Sequence, residues 1–229
     1  MSTFAQLKDN VVLELGLDDT ASGDEDNLLG RRLNEAVREV LMRTRVRVAV
    51  ATVDLTGDEG DYELPTDILA VNNIIGSDGK PLERVSVEEI HELRRGTNPQ
   101  GTSPRKYAVD GANLLMIYPM PDGADELTLY HTPRPTEMSS GAHDPSSTTY
   151  GGIPVEYHPL IELWACSLIG SFDDDASSAM GQMYEERFER RLVKVKVAIR
   201  RRGGRTLGPA RIGPRGKVSW QPGQDRFYG

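Results

Sequence analysis

Residues 153–202 read IPVEYHPLIELWACSLIGSFDDDASSAMGQMYEERFERRLVKVKVAIRRR, and the spacing of their apolar positions decides the fold class. Ile153, Tyr157, Leu160, Ile161, Trp164 and Leu168 recur at three- and four-residue steps, which places them on one face of a helix. Pro154 suits the first turn of that helix, where a missing N–H costs no hydrogen bond. Residues 170–175 break the pattern, and Asp173, Asp174 and Asp175 offer N-caps at the positive end of a following helix. From there Ala176, Met180, Tyr184 and Phe188 stand four apart, and Leu192, Val195 and Ile199 carry the stripe onward. Arg200, Arg201 and Arg202 suit a helix C-terminus, and Gly203 and Gly204 stop it.

Two long helices at the end of the chain need partners for their apolar faces, and the N-terminus supplies them. Thr3 and Gln6 have capping-box spacing ahead of a stripe of Phe4, Leu7, Val11 and Leu15, and Gly16 closes that helix. Ser22 and Glu25 repeat the spacing before a second helix with Leu29, Leu33, Ala36, Val37, Val40 and Leu41 on its buried face. Such a hairpin cannot bury both stripes alone, so it is expected to pack on the C-terminal pair.

Between residues 45 and 135 the period changes to two. Val46, Val48 and Val50 share one phase, and Val53 and Leu55 take the other after a one-residue shift. Further strands are expected at 61–65, 68–75, 106–109, 114–119 and 126–132, with a hairpin turn at 76–79 and a short helix at 87–95. Residues 96–105 read as a loop. Residues 136–152 are rich in Ser, Thr, Gly and Pro and are expected to form an exposed loop or an inter-subunit arm. The fold class is therefore α+β. A helical bundle (1–44 and 153–202) carries an inserted antiparallel β module (45–135), the loop or arm (136–152) and an extended basic tail (203–229).

The 229 residues, 38% hydrophobic, suffice for a modest core. No apolar run approaches the ~20 residues of a membrane span, and residues 1–16 lack a signal-peptide core, so a soluble protein made in a cytoplasm and held by no membrane is expected. The single cysteine, Cys166, rules out an internal disulfide framework and reads as a core residue between Trp164 and Leu168. Charge is divided unevenly. Residues 187–229 hold 13 Lys/Arg against 2 Asp/Glu, a net +11, whereas residues 1–186 hold 14 against 33, a net −19. A cationic end on an acidic body reads either as a solvated, disordered tail or as a segment that orders on an acidic protein surface or nucleic acid.

Chemistry-bearing patterns are sparse. His91, His131, His143 and His158 are scattered over separate elements, and the run Glu89, Ile90, His91, Glu92 lacks the second histidine of a helical zinc site. The aspartates 173–175 read as caps before they read as cation ligands. No phosphate-cradling loop or nucleophile elbow occurs, so neither a metal nor an organic cofactor is expected. Glu156 and Glu162, near Tyr157 and His158, read as a solvent-facing helix side, and a hydrolase ranks last among the functional readings. A DNA-binding or packaging accessory protein is the alternative to a structural role. Arg187, Arg190, Arg191, Lys194, Lys196 and Arg200 to Arg202 would neutralise phosphates, but the acidic body and the lack of any base-reading motif oppose it.

The joint order of several motifs resembles the head-to-tail adaptor (connector) proteins of tailed bacteriophages. The resemblance rests on Tyr62, Leu64, Pro65 and Asp67 before an Ile/Val run, on Tyr107, Val109 and Gly111 leading to residues 114–121, and on Leu127, Leu129 and Tyr130. It rests also on Ile153, Pro154, Glu156, Tyr157 and His158 opening a helix, then the aspartate break and a long helix with Tyr184 and Phe188. Such a resemblance implies a structural virion protein, not an enzyme, in the neck between capsid portal and tail. It implies a homo-oligomeric ring, usually of twelve copies, that extends the channel crossed by genomic DNA without sequence-specific contact and docks the next neck or tail protein. In such proteins the C-terminal segment reaches into the portal ring. Its counterpart here comprises Arg200, Arg201, Arg202, Arg205, Arg211, Arg215, Lys217, Trp220, Phe227 and Tyr228, while Tyr157, Leu160, Ile161, Trp164, Tyr184 and Phe188 would form the bundle core.

Overall fold

A computed structural model describes residues 2–17, 23–96, 99–111, 113–171 and 175–202, together with the strand pair Arg211–Ile212 and Val218–Ser219. The protein is mixed α+β, with five α-helices and several small sheets. The helices are α1 (Phe4–Leu15), α2 (Gly23–Thr44), α3 (Val87–Arg94), α4 (His158–Gly170) and α5 (Asp175–Arg202). The strands that follow α2 are β1 (Ala49–Leu55), β2 (Asp61–Glu63), β3 (Ile68–Ile75), β4 (Glu83–Arg84), β5 (Gln100–Gly101), β6 (Lys106–Asp110), β7 (Leu114–Tyr118), β8 (Met120–Pro121) and β9 (Asp125–Pro133).

The capping box forms as its spacing requires. The Thr3 side chain accepts from the Gln6 N–H, the Gln6 side chain accepts from the Thr3 N–H, and Gly16 closes α1 in the left-handed conformation at φ 64°. The second capping box, which needs Ser22, and the caps at Asp173 and Asp174 lie outside the described residues. Helix α4 packs on α1, α2 and α5. Phe4, Leu7 and Val11 of α1, Leu33, Val37 and Leu41 of α2, Leu160 and Ile161 of α4, and Tyr184, Phe188 and Leu192 of α5 share one core. Being packed on by three helices broadens the buried face of α4 to include Ala165, Cys166 and Ser167, whereas Leu168, expected on the stripe, is only half-buried. The start of α4 also differs from the sequence expectation. Residues Val155–Tyr157 form a 3-10 turn, so Pro159, not Pro154, occupies the first turn of the α-helix.

These strands build two main sheets, ordered β1-β9-β3 and β2-β7-β6-β4, and a two-stranded sheet of β5 and β8. Val53, Leu55, Ile74, Leu127 and Leu129 of the first pack with Tyr62, Tyr107, Leu115 and Ile117 of the second. Helix α3 covers the other face of the second sheet through Ile90 against Ala108 and Met116. The strand positions follow the expectation closely, but the phase of β1 is resolved by burial. Ala51, Val53 and Leu55 pack inward, leaving Val48 and Val50 51% and 62% exposed on the outer side. Two pairings are parallel, β4 with β6 and β5 with β8, so the β region is not purely antiparallel and residues 96–105 include a strand. Its first turn is tied by Tyr62, whose hydroxyl donates to the Thr56 carbonyl (2.9 Å) and accepts from the Thr56 N–H (3.1 Å).

Residues 136–152 are largely exposed, as expected of a loop, but they are strapped to the helices. The Asn34 amide of α2 donates to the Met138 carbonyl (3.0 Å) and accepts from the Met138 N–H (2.8 Å), and all these groups are buried. The Phe4 and Ala5 N–H groups, left unpaired by the first turn of α1, donate to the carbonyls of His143 (2.7 Å) and Gly141 (3.1 Å).

Candidate functional site

The contact between α4 and α5 is set by two glycines. A β-carbon on Gly170 would lie 3.1 Å from the Gly181 nitrogen, and one on Gly181 would lie 2.6 Å from Ser171 Oγ and 3.1 Å from the Ser167 carbonyl oxygen. Backbones thus approach closely where the chain reverses, and the helices then run together. Trp164 and Phe188 pack in a tilted arrangement, 48° between planes, with centroids 4.8 Å apart, and the Arg43 guanidinium from α2 lies 4.6 Å and 5.3 Å from the two rings. Arg43 is also paired with Glu39 and Glu189, so α2 is pinned to α5 at this level. The Tyr184 hydroxyl donates to the Glu14 carbonyl (2.8 Å) and ties α5 to the end of α1. Of the residues expected in this core, Tyr157, Leu160, Ile161, Tyr184 and Phe188 are buried, and Trp164 is partly buried against it.

Beyond this packed half, α5 becomes cationic. Arg187, Arg190, Arg191 and Lys194 lie on one side of the helix at three- and four-residue spacing. They face Glu156 across an open groove of about 620 Å³ whose remaining lining is Tyr157, Leu163, Val195 and Ala198. Tyr157 is 4% exposed and its hydroxyl, shielded from solvent, has no hydrogen-bond partner. Arg190 pairs with Glu186 at 3.0 Å, with both side chains exposed, a geometry of little energetic weight. Arg200 and Arg201 are exposed at the end of α5. Arg202 is its last residue and Arg211 sits in a two-residue strand paired with Val218–Ser219. Arg205, Arg215, Lys217, Trp220, Phe227 and Tyr228 lie outside the described residues.

Among the described residues the titratable groups do not converge on one cluster. Among the described residues no three His, Cys, Asp or Glu side chains form a group suited to a metal ion. The Cys166 thiol is buried and pushed up to about 12, first by burial and then by the nearby carboxylates of Glu14 and Glu162, so it stays protonated at neutral pH. His158 is 1% exposed, and burial lowers its pKa below the ordinary value. Its Nε2 lies 3.1 Å from the Ile153 carbonyl oxygen and 3.2 Å from Ser146 Oγ, so the ring serves the 3-10 turn and not a cleft. Glu162 accepts from Asn10 at 2.7 Å. No helix, among the described residues, is long and apolar enough to cross a membrane.

The family model described as SU10 adaptor protein matches residues 2–213, nearly the whole chain. The chain belongs to the SU10 adaptor protein family. Comparison with curated proteins gives no match. Membership bears out the resemblance to tailed-phage head-to-tail adaptors: this SU10 adaptor family member has a structural phage adaptor role, which places it in the virion neck among connector and neck proteins. Three features of this SU10 adaptor were not visible in sequence. The Asn34 clamp on Met138 spans 104 positions. Arg94 of α3 donates to the carbonyls of Gly60 and Ile117 and pairs with Asp61 at 2.8 Å. The groove was legible only as a run of cations, because its apolar lining comes from α4 and the turn before it.

Proposed function

We propose that this SU10 adaptor forms a ring beneath the portal, usually of twelve copies, that continues the DNA channel and presents a docking surface to the next neck or tail protein. The observation that carries the reading is the extent of the family match, which runs from the first helix through both sheets and α5 into the C-terminal segment. The body formed by residues 1–202 would be the ring subunit, with the helical parts (1–44 and 153–202) bracing the β-rich insertion (45–135). The C-terminal residues Arg200 to Arg202, Arg205, Arg211, Arg215, Lys217, Trp220, Phe227 and Tyr228 are the proposed portal contacts. Their arginines supply charge-assisted hydrogen bonds and their aromatics apolar area. Repetition around a symmetric partner turns each weak contact into an intramolecular event at high effective concentration, so affinity need not reside in any one tail. A net charge of −19 over residues 1–186 fits a channel through which DNA passes without sequence-specific contact.

Cryo-electron microscopy of purified virions, with antibody labelling of this chain, tests the reading. A cyclic ring between portal and tail is expected, and labelled density anywhere else would overturn it. Truncation after Arg202 is expected to leave a folded body that no longer joins portal-containing heads. Normal yields of infectious particles from the truncated protein would refute the tail-docking part.

A further inference from the structure

Contacts among the described residues engage the cationic side of α5 only in part: the Arg187 guanidinium lies 5.4 Å from the Tyr184 ring centroid and Arg190 pairs with Glu186. Arg187, Arg190, Arg191 and Lys194 are all exposed, and Arg187, Arg191 and Lys194 make no salt bridge with any described carboxylate. Helix polarity does not account for them, because the dipole acts within the last turn and Lys194 stands eight residues before the end at Arg202. Like charges at three- and four-residue spacing destabilise a helix. Beneath them the groove floor is apolar, formed by Leu163, Val195 and Ala198 beside the ring of Tyr157. The groove therefore suits a ligand that combines carboxylates with an aliphatic side chain.

We propose that this groove receives residues 13–28 of a neighbouring copy of the chain, the acidic α1–α2 connection together with the adjoining ends of both helices. That segment carries Asp18, Asp19, Asp24, Glu25 and Asp26, flanked by Leu13, Leu17 and Leu28, which are 80%, 50% and 39% exposed. Its leucines match the floor and its carboxylates match the rim. The chain's own C-terminal segment is excluded by like charge, since residues 203–229 are basic. Nucleic acid is disfavoured because Glu156 also lines the groove and Tyr157, the only aromatic among the described residues lining it, is too buried to offer a stacking face. Within one copy, Lys8 holds Asp26 on α1 at 2.7 Å, and α1 meets α5 at Glu14–Tyr184, ahead of the cationic stretch. The groove lining and the described ends of that segment, 13–17 and 26–28, share no residue, and a contact between unlike patches is the head-to-tail kind that generates rings. The identity of the neighbour rests on the ring reading above; the chemistry of the groove does not.

The test is a fluorescence-anisotropy titration of a labelled peptide of residues 13–28 into the full-length protein, at low and high salt. Saturable, salt-sensitive binding is expected. The exposed triple variant Arg187→Glu/Arg191→Glu/Lys194→Glu, checked for an unchanged melting temperature, should bind at least tenfold more weakly. A peptide with Asp18, Asp19 and Asp24 changed to Lys should bind this variant better than it binds the wild type. Should the triple variant melt early, Arg191→Gln alone should still weaken binding measurably. Absence of saturable binding, equal binding to wild type and groove variants, or displacement of the peptide by a short DNA duplex at equal concentration would each overturn the proposal. A neck ring seen by microscopy together with a failed titration would leave the adaptor reading standing and remove only this contact.

Discussion

Gly30 and Gly181 both lie inside helices, yet alanine should have opposite effects at the two. In a helix interior, glycine costs about 0.8–1 kcal/mol relative to alanine, so propensity alone favours either change. A β-carbon at Gly30 meets Phe4 Cζ at 3.5 Å and Lys8 Cε at 3.6 Å, ordinary contact distances, and Gly30→Ala should stabilise by up to about 1 kcal/mol. At Gly181 the same carbon lies 2.6 Å from Ser171 Oγ, and 3.1 Å from the backbone atoms Gly170 C and Ser167 O. Ser171 Oγ donates to that Ser167 carbonyl at 2.6 Å, so it cannot rotate away without losing the bond. Relieving such overpacking costs about 1–3 kcal/mol, which exceeds the propensity gain and leaves Gly181→Ala destabilised by about 0.5–2 kcal/mol. Urea unfolding of the two variants and of Gly181→Ala/Ser171→Ala reads the effect directly. The double variant should recover part of the loss, because one of the close atoms is gone while the backbone remains. A Gly181→Ala protein as stable as Gly30→Ala would refute the close helix crossing.

Three further outcomes follow from buried groups. Cys166, the only cysteine, has its thiol pushed up to about 12 from an ordinary 9.0, so its thiolate fraction falls about a thousandfold; labelling by a thiol reagent should wait for unfolding, and free-thiol rates in native protein would contradict the burial. Burial lowers the His158 pKa below 6.5, with Asp144 and Glu162 opposing; its stabilising contribution is complete above about pH 6.5 and declines as pH falls, so the melting temperature of His158→Gln should vary less between pH 7.5 and 5.5 than that of the wild type. Asn34→Leu strands the N–H and C=O of Met138 without partners and should cost about 2–4 kcal/mol in urea unfolding, whereas a loss under about 0.5 kcal/mol would mean the strap is not held by this clamp.

Much of the scaffold can be read from local chemistry because it is made by local chemistry. The Thr3–Gln6 box, the Gly16 cap, β3 and the turn at 76–79 each depend on residues within a few positions of one another. The motifs behind the family resemblance were legible for the same reason: Leu64, Tyr107, Leu127 and Leu129 are core positions of the sheets, and Tyr62 also holds a turn. Errors arose where two local solutions were equally good. Pro154 and Pro159 both suit a first turn, and only the tertiary setting selects Pro159. Val46, Val48 and Val50 alternate as well as Ala51, Val53 and Leu55 do, and only the opposing sheet reveals which phase is buried. Asn34 lies among the apolar positions of α2, and nothing local marks it as the residue that holds the segment 136–152. The groove escaped notice because cations at 187, 190, 191 and 194 look alike whether they meet phosphate, water or a carboxylate.

The glycine pair at the turn between α4 and α5 has a mechanical side as well. Helix α5 continues from Gly181 to Arg202, 21 residues, or about 32 Å at 1.5 Å per residue. On an arm of that length, a tilt of about 5° at the pivot shifts the far end by about 3 Å, the length of one hydrogen bond. Two missing methyl groups therefore set the aim of the arginines at the tip, and a bulkier pivot would degrade registry with a partner long before it unfolded the subunit.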